Sequence, residues 1–281
     1  KYDIKLSALL ITHGHEDHIG AIPHLWRQLD CPMYTSPFAA RLIRNKLDPN
    51  LTWPRLHEIK PLEPIGIGAF QAEWIPVTHS IPESHAIVLE VAGKRIYHSG
   101  DWKLDSDPVV GELTAKARLQ AIGRGGVDVI IGDSTNAPVA GALQDAIRPC
   151  RQRVIVTCFA SNLARLHSLA DIAFDAGRYA GLLGRSLLTM HSAGRAQQYL
   201  KAQPGFIGPW ELGFLPREQQ LWICTGSQGE PAAALARLSN GSHPHLSLEA
   251  GDTVLFSSRL IPGNEEPLAR IKAGLKAQDV Q

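Results

Sequence analysis

The stretch Thr12-His13-Gly14-His15-Glu16-Asp17-His18 decides the fold of this chain. It follows an apolar run, Leu6 to Thr12, that predicts a buried strand, and it precedes apolar residues at helical spacing. Imidazoles and carboxylates are the ligands that zinc and similar ions prefer. His13 and His15 lie two apart in a turn and can reach one metal ion, whereas Asp17 and His18 begin the next helix and point elsewhere. The motif therefore predicts two adjacent metal sites rather than a surface histidine cluster.

Two further residues follow predicted strands later in the chain. His79 comes after the strand Phe70 to Val77, and Asp101 comes after a predicted hairpin that turns at Ala92-Gly93. A lone histidine or aspartate at such a place is usually a structural hydrogen-bonding residue, but the first motif makes each a predicted ligand. A carboxylate shared by two metal ions would hold them close together and make a bridging water acidic near neutral pH. The predicted metal ligands are therefore His13, His15, Asp17, His18, His79 and Asp101.

The second half of the chain repeats one pattern of strand, polar loop and helix four times, which predicts a parallel α/β layer. Ser161-Asn162 is expected to cap a helix that runs to Asp175, and a further helix is expected to begin at Pro231, since proline is favoured in a first turn. The predicted strands are Val154–Phe159, Tyr179–Leu183, Leu221–Cys224 and Val254–Ser257. We place one domain at residues 1–145 and a second at residues 146–281.

Composition narrows the class of protein. The 281 residues carry a net charge of +1, so bulk charge does not indicate a polyanionic partner, although a local basic surface stays open. No apolar run approaches the roughly 20 residues that span a bilayer, and no secretory signal pattern opens the sequence. The four cysteines form no CxxC pair, which predicts neither a zinc ribbon nor a disulfide framework. These features favour a reduced, cytoplasmic setting and no membrane partner.

Together the motifs resemble those of the metallo-β-lactamase superfamily, and within it the β-CASP branch and ribonuclease J. The first motif marks only the superfamily, while Phe159-Ala-Ser-Asn162 and Thr225-Gly-Ser-Gln-Gly-Glu230 are specific to ribonuclease J-like proteins. The resemblance implies a partial metallo-β-lactamase αββα sandwich with an inserted β-CASP parallel α/β domain. Matching stretches occur in family order over nearly the whole chain: His13–Gly20, Thr78–Pro82, Gly100–Asp105, Gly132–Ala137, Phe159–Asn162, Gly184–Ser186, Thr225–Pro231 and Ile261–Glu265.

The resemblance also implies a role for each candidate residue. His13, His15 and His79 would hold one metal ion, Asp17 and His18 a second, and Asp101 would bridge them. Asp17, Asp101 and Asp133 are the implied catalytic carboxylates. The implied cofactor is two Zn²⁺, with Mn²⁺ or Mg²⁺ as alternatives. Ser161, Asn162 and Leu163 match a stretch that contacts RNA and its 5′ phosphate, although from the residues alone a plain helix cap is an equally good interpretation of Ser161-Asn162.

The function that the resemblance implies is a two-metal 5′-to-3′ exoribonuclease, with some endoribonuclease activity, in mRNA decay and rRNA maturation. The implied partner is RNA with a 5′-monophosphate, and the full-length protein is expected to be a homo-oligomer. The family's Ser-Gly-His and His-Gly-Glu motifs do not occur before Gln281, and an early strand is missing ahead of Lys1, so we expect a fragment lacking both ends. Two alternatives stay open: a small-ester or thioester metallohydrolase of the same superfamily, and a degenerate RNA-binding partner subunit.

Overall fold

The computed structural model describes residues 5–47, 55–132, 140–200 and 205–281. The chain divides into two compact units, Lys1–Ala137 and Pro138–Gln281. That division lies a few residues before the expected boundary between 145 and 146. None of the helices in the described part of the chain is long and apolar enough to cross a membrane.

The first unit begins with a small parallel sheet of order β1-β2-β3, interleaved with helices. Its strand β1 is shorter than the predicted strand from Leu6 to Thr12. The predicted helix after the histidine motif is two short helices, because the chain turns at Gly20 and Ala21. The elements are β1 (Leu9–Leu10), α1 (Glu16–Ile19), α2 (Ile22–Leu29), β2 (Met33–Thr35), α3 (Pro37–Lys46) and β3 (Leu56–Glu58).

A mixed five-stranded sheet follows, of order β4-β5-β6-β7-β8, in which only β8 runs parallel to its neighbour. The predicted hairpin across Ala92-Gly93 is confirmed as β6 and β7. The elements are β4 (Ile65–Ile67), β5 (Phe70–Pro76), β6 (His85–Val91), β7 (Lys94–His98), α4 (Lys116–Arg124) and β8 (Val129–Ile131).

Strand β5 explains how the first unit holds together. Successive side chains of a strand point to opposite faces, so Trp74 and Ile75 pack on different sides. Trp74 lies with Ile59 and the three-stranded sheet, and its indole nitrogen donates to the Ile11 carbonyl at 3.1 Å. Ile75 packs with Ile122 of α4 on the other side. Strand β5 is therefore covered on both faces, and its end is fixed by a packed core.

The second unit contains the predicted parallel sheet, with strand order β10-β11-β9-β12 and every pair parallel. Trp222 in β11 is fully buried in its core, and the free thiols of Cys158 and Cys224 lie buried at the ends of β9 and β11. The elements are α5 (Ala140–Ile147), β9 (Val154–Thr157), α6 (Leu163–Asp175), β10 (Tyr179–Leu183), α7 (Arg185–Ala196), α8 (Pro209–Gly213), a 3-10 turn (Arg217–Gln219), β11 (Gln220–Cys224), α9 (Ala234–Ser239), β12 (Thr253–Phe256) and α10 (Glu265–Lys276).

One predicted helix start in this unit is wrong. The helix expected from Pro231 begins at Ala234, because Thr225 at the end of β11 binds its first turn. The Ala234 amide donates to the Thr225 hydroxyl at 3.2 Å, and the Leu235 amide donates to the Thr225 carbonyl at 2.9 Å. These bonds satisfy amides that a helix leaves unpaired at its start, so the position of Thr225 fixes where α9 begins.

Candidate metal centre

The histidine motif forms the turn between β1 and α1. His13 is fully buried, and Gly14 lies against α3, where a Cβ atom would come within 2.8 Å of Leu42 Cδ1. Glu16 at the start of α1 pairs through both carboxylate oxygens with Lys46 at the end of α3, at 2.8 and 2.7 Å. Close packing and this ion pair therefore hold the turn against α3.

His79 and Asp101 reach the same place from the ends of β5 and β7. Gly100 precedes Asp101 with φ +56°, and a Cβ atom there would lie 2.5 Å from the His85 carbonyl oxygen, so the turn requires glycine. The Ser84 hydroxyl then donates to the Asp101 carbonyl at 3.1 Å. The pairing of β5, β6 and β7 thus places two distant residues beside the motif.

Four of the predicted ligands converge on one point: His13, His15, His79 and Asp101. His15 Nδ1 lies 3.0 Å from His13 Nε2 and 3.1 Å from His79 Nε2. Asp101 Oδ2 lies 3.8 Å from His13 Nε2 and 3.5 Å from His79 Nε2. Ligands at zinc bond lengths in a tetrahedron lie about 3.3 Å from one another. The spacing of these donor atoms therefore fits a four-coordinate metal ion.

A second set shares the same carboxylate: Asp17, His18 and Asp101. His18 Nε2 lies 3.4 Å from Asp101 Oδ1 and 3.7 Å from Asp17 Oδ2. The Asp17 side chain is 77% exposed, so this set opens to solvent, whereas the first set is mostly buried. Three protein ligands with an open position are typical of catalytic metal sites.

The surroundings of the Asp101 carboxylate favour a bound cation. Its Oδ1 atom is buried, yet it accepts no well-formed hydrogen bond from the described residues. A buried carboxylate oxygen in this condition is costly unless a positive charge neutralises it. The two oxygens of Asp101 face different ligand sets, which is the arrangement that a bridging ligand requires.

The protonation states also suit metal binding. Burial and the neighbouring histidines hold the pKa of His13 far below its usual value, and burial lowers the pKa of His79 to about 4. Both imidazoles are therefore neutral near pH 7, the form that coordinates metals. Burial alone would raise the pKa of Asp101, but the close imidazoles of His18, His13 and His79 hold this pKa below its usual range, so the carboxylate is ionised near pH 7.

Sequence reasoning missed two hydroxyl groups at this centre. Ser80 Oγ lies 3.3 Å from His15 Nε2, and Thr12 Oγ1 lies 3.0 Å from His13 Nδ1. Each is the direct neighbour of a predicted ligand in the sequence, which was the available signal. The hydroxyls contact ring nitrogens that face away from the other donors, so they are placed to orient the imidazoles.

The remaining predicted site residues lie elsewhere in the chain. Asp133 falls outside the described residues. In the second unit, the Asn162 side chain accepts from the Arg165 amide at 2.9 Å and caps α6, so the cap interpretation is confirmed for this residue. Leu163 is fully buried in the core, and its amide donates to the Ser161 carbonyl at 3.0 Å. Contact of Ser161, Asn162 and Leu163 with RNA stays a prediction.

Comparison with known proteins assigns the two parts of the chain. A family model described as "Beta-lactamase superfamily domain" matches residues 3–148, and one described as "Ribonuclease J, beta-CASP domain" matches residues 151–275. Ribonuclease J of Sinorhizobium meliloti is 38% identical over 98% of this chain and 51% of its own length. Ribonuclease J 1 of Streptococcus pyogenes is 40% identical over 92% of this chain and 49% of its own length. The chain thus spans about half the length of these relatives.

A solved structure supports the fold alone. A protein of unknown function from Enterococcus faecalis aligns over 97% of this chain and 67% of its own, with a TM-score of 0.56 at 15% identity. The two family matches account for nearly the whole chain in the order that the motifs predicted. The chain belongs to the ribonuclease J family, in the β-CASP branch of the metallo-β-lactamase superfamily.

Proposed function

We propose that this protein is a metal-dependent ribonuclease that degrades RNA from a 5′-monophosphorylated end in the 5′-to-3′ direction, with some endoribonuclease activity. Family membership supports a nuclease that acts on RNA. The observation that carries the metal dependence is the convergence of the four donor atoms of His13, His15, His79 and Asp101. The proposed roles in the cell are mRNA decay and rRNA maturation in the cytoplasm, carried out by a homo-oligomer of the full-length chain.

The proposed cofactor is a pair of Zn²⁺ ions, with Mn²⁺ or Mg²⁺ as alternatives. His13, His15 and His79 would hold the first, Asp17 and His18 the second, and Asp101 both. Bound there, divalent metal ions supply an activated water and neutralise charge on the scissile phosphate. The donor set does not choose among the metals, because histidine and carboxylate sites accept several of them.

The protein's own residues supply position and solvent access. Neutral His13 and His79 present lone pairs at a buried point, and ionised Asp101 faces both ligand sets. Asp17 lies at the exposed side, where a phosphodiester can approach. Asp133 is proposed as a further catalytic carboxylate, and Ser161, Asn162 and Leu163 as contacts to the 5′ end of the RNA. The complete first ligand set argues against a degenerate binding subunit.

The test compares His13→Ala with His24→Ala in the full-length protein. His24 is an exposed histidine of α2 outside both ligand sets, so it is a matched control. We expect His13→Ala to lose bound metal by elemental analysis and to lose RNA degradation, with His24→Ala unchanged. The RNA substrates carry either a 5′-monophosphate or a 5′-triphosphate, and the monophosphorylated RNA should be degraded faster, releasing mononucleotides.

Three results would contradict parts of this proposal. Unchanged metal content in His13→Ala would remove the ligand assignment. Equal rates on the two RNAs would remove the recognition of the 5′-monophosphate. Hydrolysis of a small ester or thioester without any RNA cleavage would favour the other enzyme class.

A further inference from the structure

The hydroxyl group of Thr12 contacts both ligand sets. Thr12 Oγ1 lies 3.0 Å from Nδ1 of His13 and 3.5 Å from Nδ1 of His18. Thr12 is buried, and its carbonyl accepts a hydrogen bond from the His85 amide at 3.1 Å, which holds its main chain. One oxygen atom thus contacts a histidine of the first set and a histidine of the second.

The ring nitrogens that Thr12 contacts are those turned away from Asp101. His13 and His18 direct Nε2 toward the Asp101 carboxylate, at 3.8 and 3.4 Å. A neutral imidazole that coordinates through Nε2 carries its proton on Nδ1 and donates it to a nearby acceptor. A hydroxyl oxygen has two lone pairs and can accept from both rings.

We propose that Thr12 is a positioning residue whose single hydroxyl sets the tautomer and ring orientation of His13 and His18, and so supports both metal sites at once. The inference rests on the proposed metal binding. It goes further because it assigns to both metal sites one hydroxyl group that does not itself coordinate a metal ion. Removal of the Thr12 hydroxyl should therefore weaken the binding of both metal ions. Removal of a group that contacts only one ligand would weaken the binding of one metal ion.

The rest of the Thr12 side chain has a separate packing role. A Cβ atom at Gly100 would come within 3.3 Å of Thr12 Cβ and 3.4 Å of Thr12 Cγ2, so the threonine methyl lies under the turn that leads to Asp101. Thr12→Val retains a methyl there and removes only the hydroxyl. Thr12→Ser retains the hydroxyl and removes the methyl. The two variants therefore separate hydrogen bonding from packing.

Thr35 supplies the matched control. It is fully buried in β2 of the same unit, and its hydroxyl has no hydrogen-bond partner in the described part of the chain. Thr35→Val makes the same chemical change as Thr12→Val without touching a ligand. Since no bond is lost there, stability should hold or improve.

The experiment titrates the full-length protein, stripped of metal, with Zn²⁺ against a chromophoric chelator. In Thr12→Val we expect both zinc affinities to fall about 10–100-fold, the range found when partners of metal-bound histidines are removed. The zinc affinities of Thr12→Ser should stay within a few-fold of the wild-type values, and those of Thr35→Val should equal the wild-type values. Loss at one site alone, no loss at either, or an equal loss in Thr12→Ser would each overturn the proposal.

A measurement on the wild type keeps the proposal testable if Thr12→Val fails to fold. Nitrogen-15 NMR of the imidazoles in the zinc-loaded protein should show protons on Nδ1 of His13 and His18, and protons on Nε2 would overturn the assignment. Failure of the proposed function gives a different result, because a wild-type protein that binds no zinc would show neither affinity nor this NMR signature.

Discussion

At the scale of single residues, the candidate centre depends on a backbone turn as much as on its ligands. Gly100 and Gly93 both have positive φ, at +56° and +73°, yet their surroundings differ. A Cβ atom at Gly93 would meet nothing within 4 Å, whereas one at Gly100 would lie 2.5 Å from the His85 carbonyl oxygen. Substitution of Gly93 therefore tests only the cost of a left-handed backbone. Substitution of Gly100 also tests the cost of displacing the turn that carries Asp101.

Gly93→Ala should lower the free energy of unfolding by roughly 1–2 kcal/mol, the strain of a left-handed alanine, and leave zinc affinity unchanged. Gly100→Ala should cost more, because overpacking typically adds about 1–3 kcal/mol, and it should also weaken zinc binding by moving Asp101. Urea denaturation and chelator competition measure the two quantities. Equal effects of the two substitutions on zinc affinity would show that the turn does not position Asp101.

At the scale of elements, the order and type of most strands can be predicted from the sequence. The place where the ends of distant strands meet cannot be predicted in this way. Local sequence patterns predicted β5, the hairpin of β6 and β7, and the helix α6 closely. No local pattern says that the ends of β5 and β7 meet the turn after β1, since that depends on pairing between distant strands. His79 and Asp101 became predictable ligands only because the first motif raised the expectation of partners.

The start of α9 shows a second limit of local patterns. Proline at Pro231 is compatible with a helical first turn, but the long-range hydrogen bonds from Ala234 and Leu235 to Thr225 determine where the helix begins. A contact between residues that a turn brings together is invisible to a periodic pattern. The same holds for Thr12 and Ser80, whose roles depend on which ring nitrogen each hydroxyl meets.

The cap of α6 permits a prediction that separates structure from RNA contact. Asn162→Ala should lower the free energy of unfolding by about 1 kcal/mol, as the loss of a cap usually does. Asn162→Asp keeps a capping oxygen and suits the positive end of the helix, so stability should hold. If Asn162 contacts a phosphate, the new charge should weaken RNA binding.

Phe174→Asp is the control for this prediction, because it adds the same charge to an exposed position at the far end of α6. RNA binding is measured by fluorescence anisotropy at fixed salt. Equal weakening by the two aspartates would mean that Asn162 acts only as a helix cap.

At the scale of the whole molecule, the five-stranded sheet ends in an apolar edge. Strand β8 is the terminal strand of that sheet, and Val129, Ile130 and Ile131 are 48%, 70% and 49% exposed. An exposed apolar edge strand offers unpaired backbone groups to another chain. We therefore expect this 281-residue chain to self-associate through β8 as its concentration rises.

Ile130→Lys should suppress that association, because a charge on an edge strand opposes pairing. Phe174→Lys is the control, since it replaces an exposed apolar residue of a helix, 67% exposed, with the same charge. Sedimentation velocity over a range of concentrations measures the effect. Association that persists in Ile130→Lys but disappears in Phe174→Lys would place the contact on the second unit.

The buried thiols of Cys31 and Cys158 allow the opening of each unit to be measured separately. Cys31 lies in the first unit and Cys158 in the second, and burial raises the pKa of both, that of Cys158 to about 12. Since the thiolate is the reactive form, an alkylating reagent should modify either one only when its unit opens. The modification rate at each cysteine, read by peptide mass spectrometry, therefore reports how often that unit opens. Zinc should slow the modification of Cys31 and leave the modification rate of Cys158 unchanged if the two units open independently.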